Sequence, residues 1–560
     1  MLNNTRCGLI SKAAITTGLG IALAVGAPTL LPCLALAAEG TVTISQQNNE
    51  NATYDAFMLF KADISPDDQA AHITWASDSM KKIVLSFLDS NGYTKWLESK
   101  HPGKGQRDLP QNAAQYISEM IAGSKTAAGT ATKPRTTAAA SFANKLAVAL
   151  ASNDASPRQV ATSGKPFSGP QGYWLFATTP STTGDPDDAG SAPIWVPLGG
   201  STTAILEKSS VPTADKDVME DSTGSWGKFA DAHVGQAIGY RLTGTLPSNF
   251  NSFEHYHFMF TDTLSAGLDL DIEDGKTAAD SVVVQVAGKT VPVDGKSLKV
   301  EYDNRKLVID FADLMAASWS SYGISGGTKI TVTYKAHLND ACIVGTPGNP
   351  NEVSVTYSND PVSGGEGHTS PGKTKPKTYT YRMTLKKLDE QTGEPLQGAE
   401  FTIRVGEGNS DKQSVGLYVQ SDGSLGKSAH TFTTDKSGTF VATGLDEGTY
   451  VISETKAPEG YERIDSDLTL NITADRDKDG LELADLKADL KGGDAKDAGA
   501  VKKTSVAGLD AKSGSISLDV TNDRMIKMPV TGLGGTSMAV SLGGFTAIVA
   551  GIGLVARRRR

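Results

Sequence analysis

The sequence predicts a mainly β protein, with two tandem sandwiches of immunoglobulin-like size after a mixed α/β N-terminal domain. Three observations lead there. Short runs with period-two alternation recur over 208–362 and again over 378–526, with turn residues between them. The chain carries 59 Gly and 24 Pro, which suits β modules with many turns. A Gly, Pro, Ser and Lys-rich stretch over 363–377 separates the two alternating regions as a linker.

The elements follow in order. Residues 1–37 read as a secretory signal peptide. Arg6 and Lys12 precede an apolar stretch from Ala13 to Leu36, and Ala35-Leu36-Ala37 offers a small-x-small cleavage site. Cys33 follows Pro32, a poor fit to a lipobox. Removing Cys7 and Cys33 with the leader leaves Cys342 alone, so the exported chain has no intramolecular disulfide. Over 38–207 the pattern is mixed. Strands are expected at 41–45, 54–60 and 173–178, and helices at 79–88, 112–122 and 140–151. The Ala, Thr and Gly-rich segment 125–139 reads as a loop. The formal net charge of −10 argues against a nucleic-acid partner, and nothing resembles a phosphate-cradling glycine loop.

Alternation also puts charged residues on apolar faces. From Tyr379 to Lys387 every second residue is apolar until Lys387 takes the same face. Glu454 follows Tyr450 and Ile452, and Asn522 ends the face of Ile516, Leu518 and Val520. The middle region repeats this. Lys216 lies between Ala214 and Val218, Asp262 lies in the run Tyr256, Phe258, Phe260, Leu264, and Asn351 and Asn359 flank Val353, Val355 and Tyr357. Burying a lysine and a carboxylate costs several kcal/mol unless they pair.

An intramolecular isopeptide bond would account for both triads. In an apolar core a lysine loses its proton more easily and a carboxylic acid keeps its own. The neutral amine can attack the Asn side-chain carbonyl carbon while the acid, Glu454 or Asp262, donates to the carbonyl oxygen and shuttles protons. Ammonia leaves. A structural ion pair beside an Asn, or charges in solvent at strand ends, is the alternative.

Several motifs resemble a known family. Tyr450-Val-Ile-Ser-Glu454-Thr-Lys-Ala457-Pro458-Glu-Gly460-Tyr461 resembles the E-box of Gram-positive pilins. Leu385-Lys-Lys387-Leu-Asp389 with Leu396-Gln-Gly398-Ala399-Glu-Phe401 resembles the opening of their collagen-adhesin-B-type domains. Phe260-Thr-Asp262-Thr-Leu264-Ser-Ala-Gly267-Leu268 and Tyr357-Ser-Asn359-Asp-Pro361 resemble the middle domain of isopeptide-forming fimbrial shaft proteins. The resemblance implies collagen-adhesin A/B-type sandwiches and Lys–Asn welds, Lys387 to Asn522 and Lys216 to an Asn of the last middle-domain strand. First and last strands of such sandwiches run parallel. Lys216 lies early in its strand, as Asn351 does and Asn359 does not, so Asn351 is the expected partner.

The last segment, 527–560, holds Met528-Pro529-Val530-Thr531-Gly532, an apolar run from Ser537 to Val555, and four arginines. A plain membrane anchor needs only the run and the basic stop. The pentapeptide resembles the LPxTG cell-wall sorting signal with Met for Leu. That resemblance implies a sortase that cleaves Thr531–Gly532 and passes the Thr531 carbonyl to an amine. A shaft subunit also needs an acceptor lysine ahead of its middle domain, commonly in a Tyr-Pro-Lys-Asn context. This chain has no such tetrapeptide. Lys208, in Ile205-Leu206-Glu207-Lys208-Ser209, stands at the matching place, with an ordinary linker lysine as the other reading.

The resemblance therefore implies a non-enzymatic shaft pilin, secreted and anchored to peptidoglycan. Its partners would be pilus and housekeeping sortases, copies of itself, minor pilins and a host surface ligand. A monomeric wall-anchored adhesin, a minor basal or tip pilin, and a secreted enzyme on a stalk with a catalytic N-terminal region are the alternatives; the sequence of that region offers no Ser/His/Asp, Cys/His or metal constellation for the last. No cofactor or metal is expected. Asp475-Arg-Asp477-Lys-Asp479-Gly480 opens like a calcium loop, but Leu486 stands where the twelfth-position Glu belongs. His255 and His257 share a strand face without a third ligand.

Overall fold

The computed structural model describes residues 39–46, 49–103, 105–122, 138–179, 182, 188–207, 210–362, 364–369, 375–409, 411–492 and 504–526. The signal peptide, the loop at 125–137, Lys208 and the whole segment 527–560 lie outside them. No helix among the described residues is long and apolar enough to cross a membrane.

The N-terminal region is mixed, as its pattern predicts. Its central strand, Thr53–Ile64, is buried almost throughout and pairs with Ala70–Trp75, Arg158–Thr162 and Gly172–Thr178. Helices Asp78–Ser90, Tyr93–Lys100, Pro110–Ala122 and Ala138–Ser152 share its core. The first begins because Ser77 accepts the Met80 N–H, and it buries Met80, Val84, Leu85 and Leu88 along one face. Burying each such aliphatic side chain stabilises by about 1.5–3 kcal/mol. A small sheet sets Glu39–Gln46 between Pro166–Pro170 and Ala204–Glu207, with the last strand parallel and Gln46 opposite Glu207.

The middle sandwich packs two sheets over one core. One runs from Thr213–Glu220 through Ile238–Thr245 and Lys329–Leu338 to Val282–Val286. The other sets Phe258–Leu264 between Asn349–Tyr357 and Lys306–Phe311. The Lys216 strand and the Asn351 strand therefore lie in different sheets. The expectation of a parallel first and last strand is not realised here as a ladder among the described residues. Part of the expected linker is also strand. Gly367–Thr369 pairs with Val355–Tyr357, and Lys377–Tyr379 pairs with Asn349–Pro350 and, in parallel, with Phe229–Asp231. Free sheet edges supply the hydrogen bonds that a polar, Gly and Pro-rich segment cannot make within itself.

The C-terminal sandwich opens at Tyr381–Asp389, directly after that edge strand. This strand runs parallel to Ser515–Asn522, with Lys387 opposite Val520 and Asp389 opposite Asn522. The facing sheet carries Glu400–Val405, Gly448–Lys456, Leu468–Arg476 and Leu483–Lys491.

Candidate functional site

Both predicted triads face inward. In the middle sandwich Lys216 is 1% exposed, and Asp262 and Asn351 are 0% exposed. The register explains the grouping. Asp262 lies opposite Val353 and Leu264 opposite Asn351, so Asp262 and Asn351 are diagonal neighbours on one inner face. Lys216 reaches them from the other sheet and donates to Asp262 Oδ1. Its ammonium lies 5.5 Å from the Tyr240 ring centroid and 5.7 Å from that of Tyr334. Burial lowers the Lys216 pKa to about 8, with the Asp262 charge opposing the drop. Burial likewise raises the Asp262 carboxyl, against the pull of Lys216 and the Tyr334 hydroxyl. Each shift favours the neutral form, the one a nucleophilic amine and a general acid require.

Tyr334 is the member that the sequence analysis missed. Its phenol donates to Asp262 Oδ2 at 2.6 Å and accepts from Asn351 Nδ2 at 2.8 Å. It thus connects the acid to the amide. The available signal was a tyrosine on the apolar face Ile330, Val332, Tyr334, Ala336, Leu338, because a buried tyrosine hydroxyl finds a partner.

The C-terminal cluster differs in construction. Lys387 and Asn522 sit on adjacent parallel strands, 0% and 1% exposed, and Lys387 Nζ donates to Asn522 Oδ1. Glu454 comes from the facing sheet. Its Oε1 accepts from Asn522 Nδ2 at 2.9 Å and lies 3.7 Å from Lys387 Nζ. Its Oε2 accepts the Ile464 N–H at 2.7 Å, which holds the carboxyl in place.

Other predicted residues fall elsewhere. Asn359 belongs to the contact with the N-terminal region, where its backbone carbonyl accepts the Gly190 N–H at 2.7 Å. It is eight residues beyond Asn351. His255 and His257 pair with Asp313 and Asp310, at 2.8 and 2.9 Å. In the turn at Asp475–Gly480, Asp477 Oδ1 accepts the N–H groups of Leu481 and Glu482, and Asp475 pairs with Lys487. Those acidic groups already have partners in the hairpin. Lys208, Thr531 and Gly532 lie outside the described residues; the strand that leads to Lys208 ends at Glu207, which accepts the Tyr54 hydroxyl.

Residues 381–486 match the family described as SpaA, prealbumin-like fold domain. The chain is 29% identical over 275 residues to the trypsin-resistant surface T6 protein of Streptococcus pyogenes serotype M6. That match covers 46% of this chain and 45% of the relative, so the chain spans about half the length of the curated relative it matches. Among solved structures, the T6 backbone pilin of serotype M6 S. pyogenes aligns over 87% of this chain and 99% of its own, at 17% identity and a TM-score of 0.49. The full-length major pilin SpaD of Corynebacterium diphtheriae aligns over 87% and 98%, at 15% identity and a TM-score of 0.43. Residues 381–486, which carry Lys387 and Glu454, thus resemble a prealbumin-like domain of the SpaA type, in a chain similar to the T6 surface protein.

Proposed function

We propose that this protein is the shaft subunit of a covalently polymerised surface fimbria, welded internally by Lys216–Asn351 and Lys387–Asn522 bonds. The observation that carries the reading is the doubled cluster. Two sandwiches of different construction each bury a lysine, a carboxylic acid and an asparagine together, in direct contact in the C-terminal one and with Tyr334 bridging Asp262 to Asn351 in the middle one, where ordinary packing would favour apolar residues. In each, the neutral Lys Nζ attacks the Asn Cγ and forms the new C–N bond. The tetrahedral intermediate is stabilised by a proton from Asp262 or Glu454. The acid, left as a carboxylate, takes a proton from the attacking amine and passes it to the Asn Nδ2, which leaves as ammonia; as the carbonyl re-forms, its oxygen returns the first proton to the acid. No redox partner is needed. The folded core supplies proximity and a water-poor environment.

The same reading gives the chain ends their roles. A signal peptide over 1–37 exports the chain. A sortase cleaves Thr531–Gly532, holds the Thr531 acyl group and passes it to Lys208 of another copy, or finally to peptidoglycan. Tension then enters a subunit near its middle domain and leaves past Asn522. The welds carry that load past each sandwich instead of through its hydrogen bonds. Boiling wall extracts in SDS and blotting for this protein tests the reading. A ladder of high-mass species is expected. A single monomer band, with the pilus sortase present, would replace it with a wall-anchored adhesin.

A further inference from the structure

The inward face of the Lys216 strand continues past Val218. Glu220 takes the next inward position and is 1% exposed. Asp221 follows it into the turn. Asp231 ends the strand Phe229–Asp231 in the opposite sheet and is 2% exposed. One carboxylate oxygen from each of the three lies within 4.8 Å of the other two. The cluster sits where the middle sandwich meets the C-terminal one. From across that junction Tyr381 donates its hydroxyl to Asp231 Oδ2 at 2.7 Å, and Arg476 approaches Glu220 Oε2 at 3.2 Å. Asp446 and Glu447 add acidic charge from the same side. The Asp446 carboxyl is pushed well up, first by burial and then by the charges of Asp231, Asp221 and Glu220.

The protein's own donors cover only part of this charge. Ser222 donates its hydroxyl and N–H to Glu220 Oε1, the Asp231 N–H donates to Glu220 Oε2, and Gln236 donates to Asp221 Oδ2. Arg476 brings a positive charge to Glu220. Asp231 Oδ1 is buried and has no hydrogen-bond partner among the described residues. A buried, unpartnered carboxylate oxygen is costly, and this one belongs to a carboxyl grouped with two others.

We propose that Glu220, Asp221 and Asp231 bind one divalent cation, calcium, which fastens the junction between the two sandwiches. The donors are all hard oxygens, which disfavours zinc. Calcium accepts irregular carboxylate sets at 2.3–2.6 Å, so its ligand oxygens lie at most about 5 Å apart. The ligands come from both sheets of the middle sandwich, with Tyr381 of the next domain hydrogen-bonded to one of them. An ion there would tie three surfaces together. Local sequence pattern holds no sign of it, because nine residues lie between Asp221 and Asp231 and only the fold brings them together.

Terbium in place of calcium tests the site on the purified full chain, read by emission sensitised through tyrosine, since the Tyr381 hydroxyl bonds Asp231. Saturation at one terbium per chain, displaced by calcium, is expected, with a matching rise in Tm on adding calcium after EDTA. Asp231→Asn should abolish the signal, and Asp221→Asn, at the half-buried rim, should weaken calcium binding about tenfold or more. Asp477→Asn in the distant hairpin turn should leave binding unchanged. If Asp231→Asn fails to fold, Asp221→Asn decides the matter. The proposal is overturned by absence of binding at millimolar calcium, by binding that Asp221→Asn leaves intact, or by binding that Asp477→Asn removes. A chain stabilised by acidification and indifferent to calcium would show instead that protons neutralise the cluster.

Discussion

Removing the acid from the C-terminal cluster should unweld one domain and leave the other intact. Glu454→Gln keeps the shape of the side chain, but its one carbonyl oxygen can accept from only one of Asn522 Nδ2 and the Ile464 N–H, and it has no carboxylic proton to give. The mutant should retain the ammonia that the wild type loses at this site, while the middle domain still loses its own. The energetic consequence follows from the loop. Lys387 and Asn522 are 135 residues apart, and the chain-entropy model assigns a cross-link of that span about 5 kcal/mol. At roughly 2.1 cal/mol/K of unfolding entropy per residue over that span, the loss lowers the domain's Tm by about 18 °C. The residue numbers of Lys216 and Asn351 also differ by 135, so Asp262→Asn should cost the middle domain a similar amount. Intact mass and calorimetry on the same samples provide the assay. A Glu454→Gln chain that still lacks the ammonia mass at this site would refute the role of Glu454. Retention of the ammonia with an unchanged Tm would refute the energetic argument.

Three further outcomes are expected. Tyr334→Phe deletes the hydroxyl between Asp262 and Asn351, so it should slow middle-domain welding in time-resolved mass spectra while the C-terminal weld forms normally; equal rates would make Tyr334 packing only. For chains welding on first folding, the middle-domain rate should fall about tenfold per pH unit above about 8, because the reactive pair of neutral Lys216 and protonated Asp262 holds one proton that is lost as pH rises through the Lys216 pKa. A rate that keeps rising with pH through that range would contradict this. Lys208→Arg should abolish the SDS-resistant ladder but leave monomer in the wall, since a guanidinium stays protonated, whereas Thr531→Ala should remove both.

Much of this architecture was legible because strand alternation is a strong local signal when one face is buried. Lys387, Glu454, Asn522, Lys216 and Asp262 stood out as polar residues in phase with apolar neighbours, and each is buried in the structure. The N-terminal helices were legible from their apolar stripes, although the short helix Tyr93–Lys100, with only Tyr93 and Leu97 buried, was not. Pairing between distant strands was less accessible. Alternation tells which face a residue takes but not which sheet its strand joins, so the separate sheets of Lys216 and Asn351 escaped notice. Tyr334 and Glu220 were hidden for different reasons. A tyrosine on an apolar face looks like ordinary core, and Glu220 lies beside the turn, where charge is common. The edge strand Lys377–Tyr379 was hidden because its hydrogen bonds go to residues remote in sequence.

The shaft-subunit account depends most directly on one covalent bond that the folded monomer cannot contain. Fibres purified from the cell surface, digested with trypsin and sequenced by mass spectrometry, should yield a branched peptide in which the Thr531 carbonyl of one copy is joined to the Lys208 Nζ of another. Its abundance should rise with fibre length and vanish in Lys208→Arg. If Thr531 is found attached only to cell-wall amines, or to a different lysine of this chain, the account is contradicted: in the first case the protein is an anchored monomer, and in the second the acceptor has been misassigned.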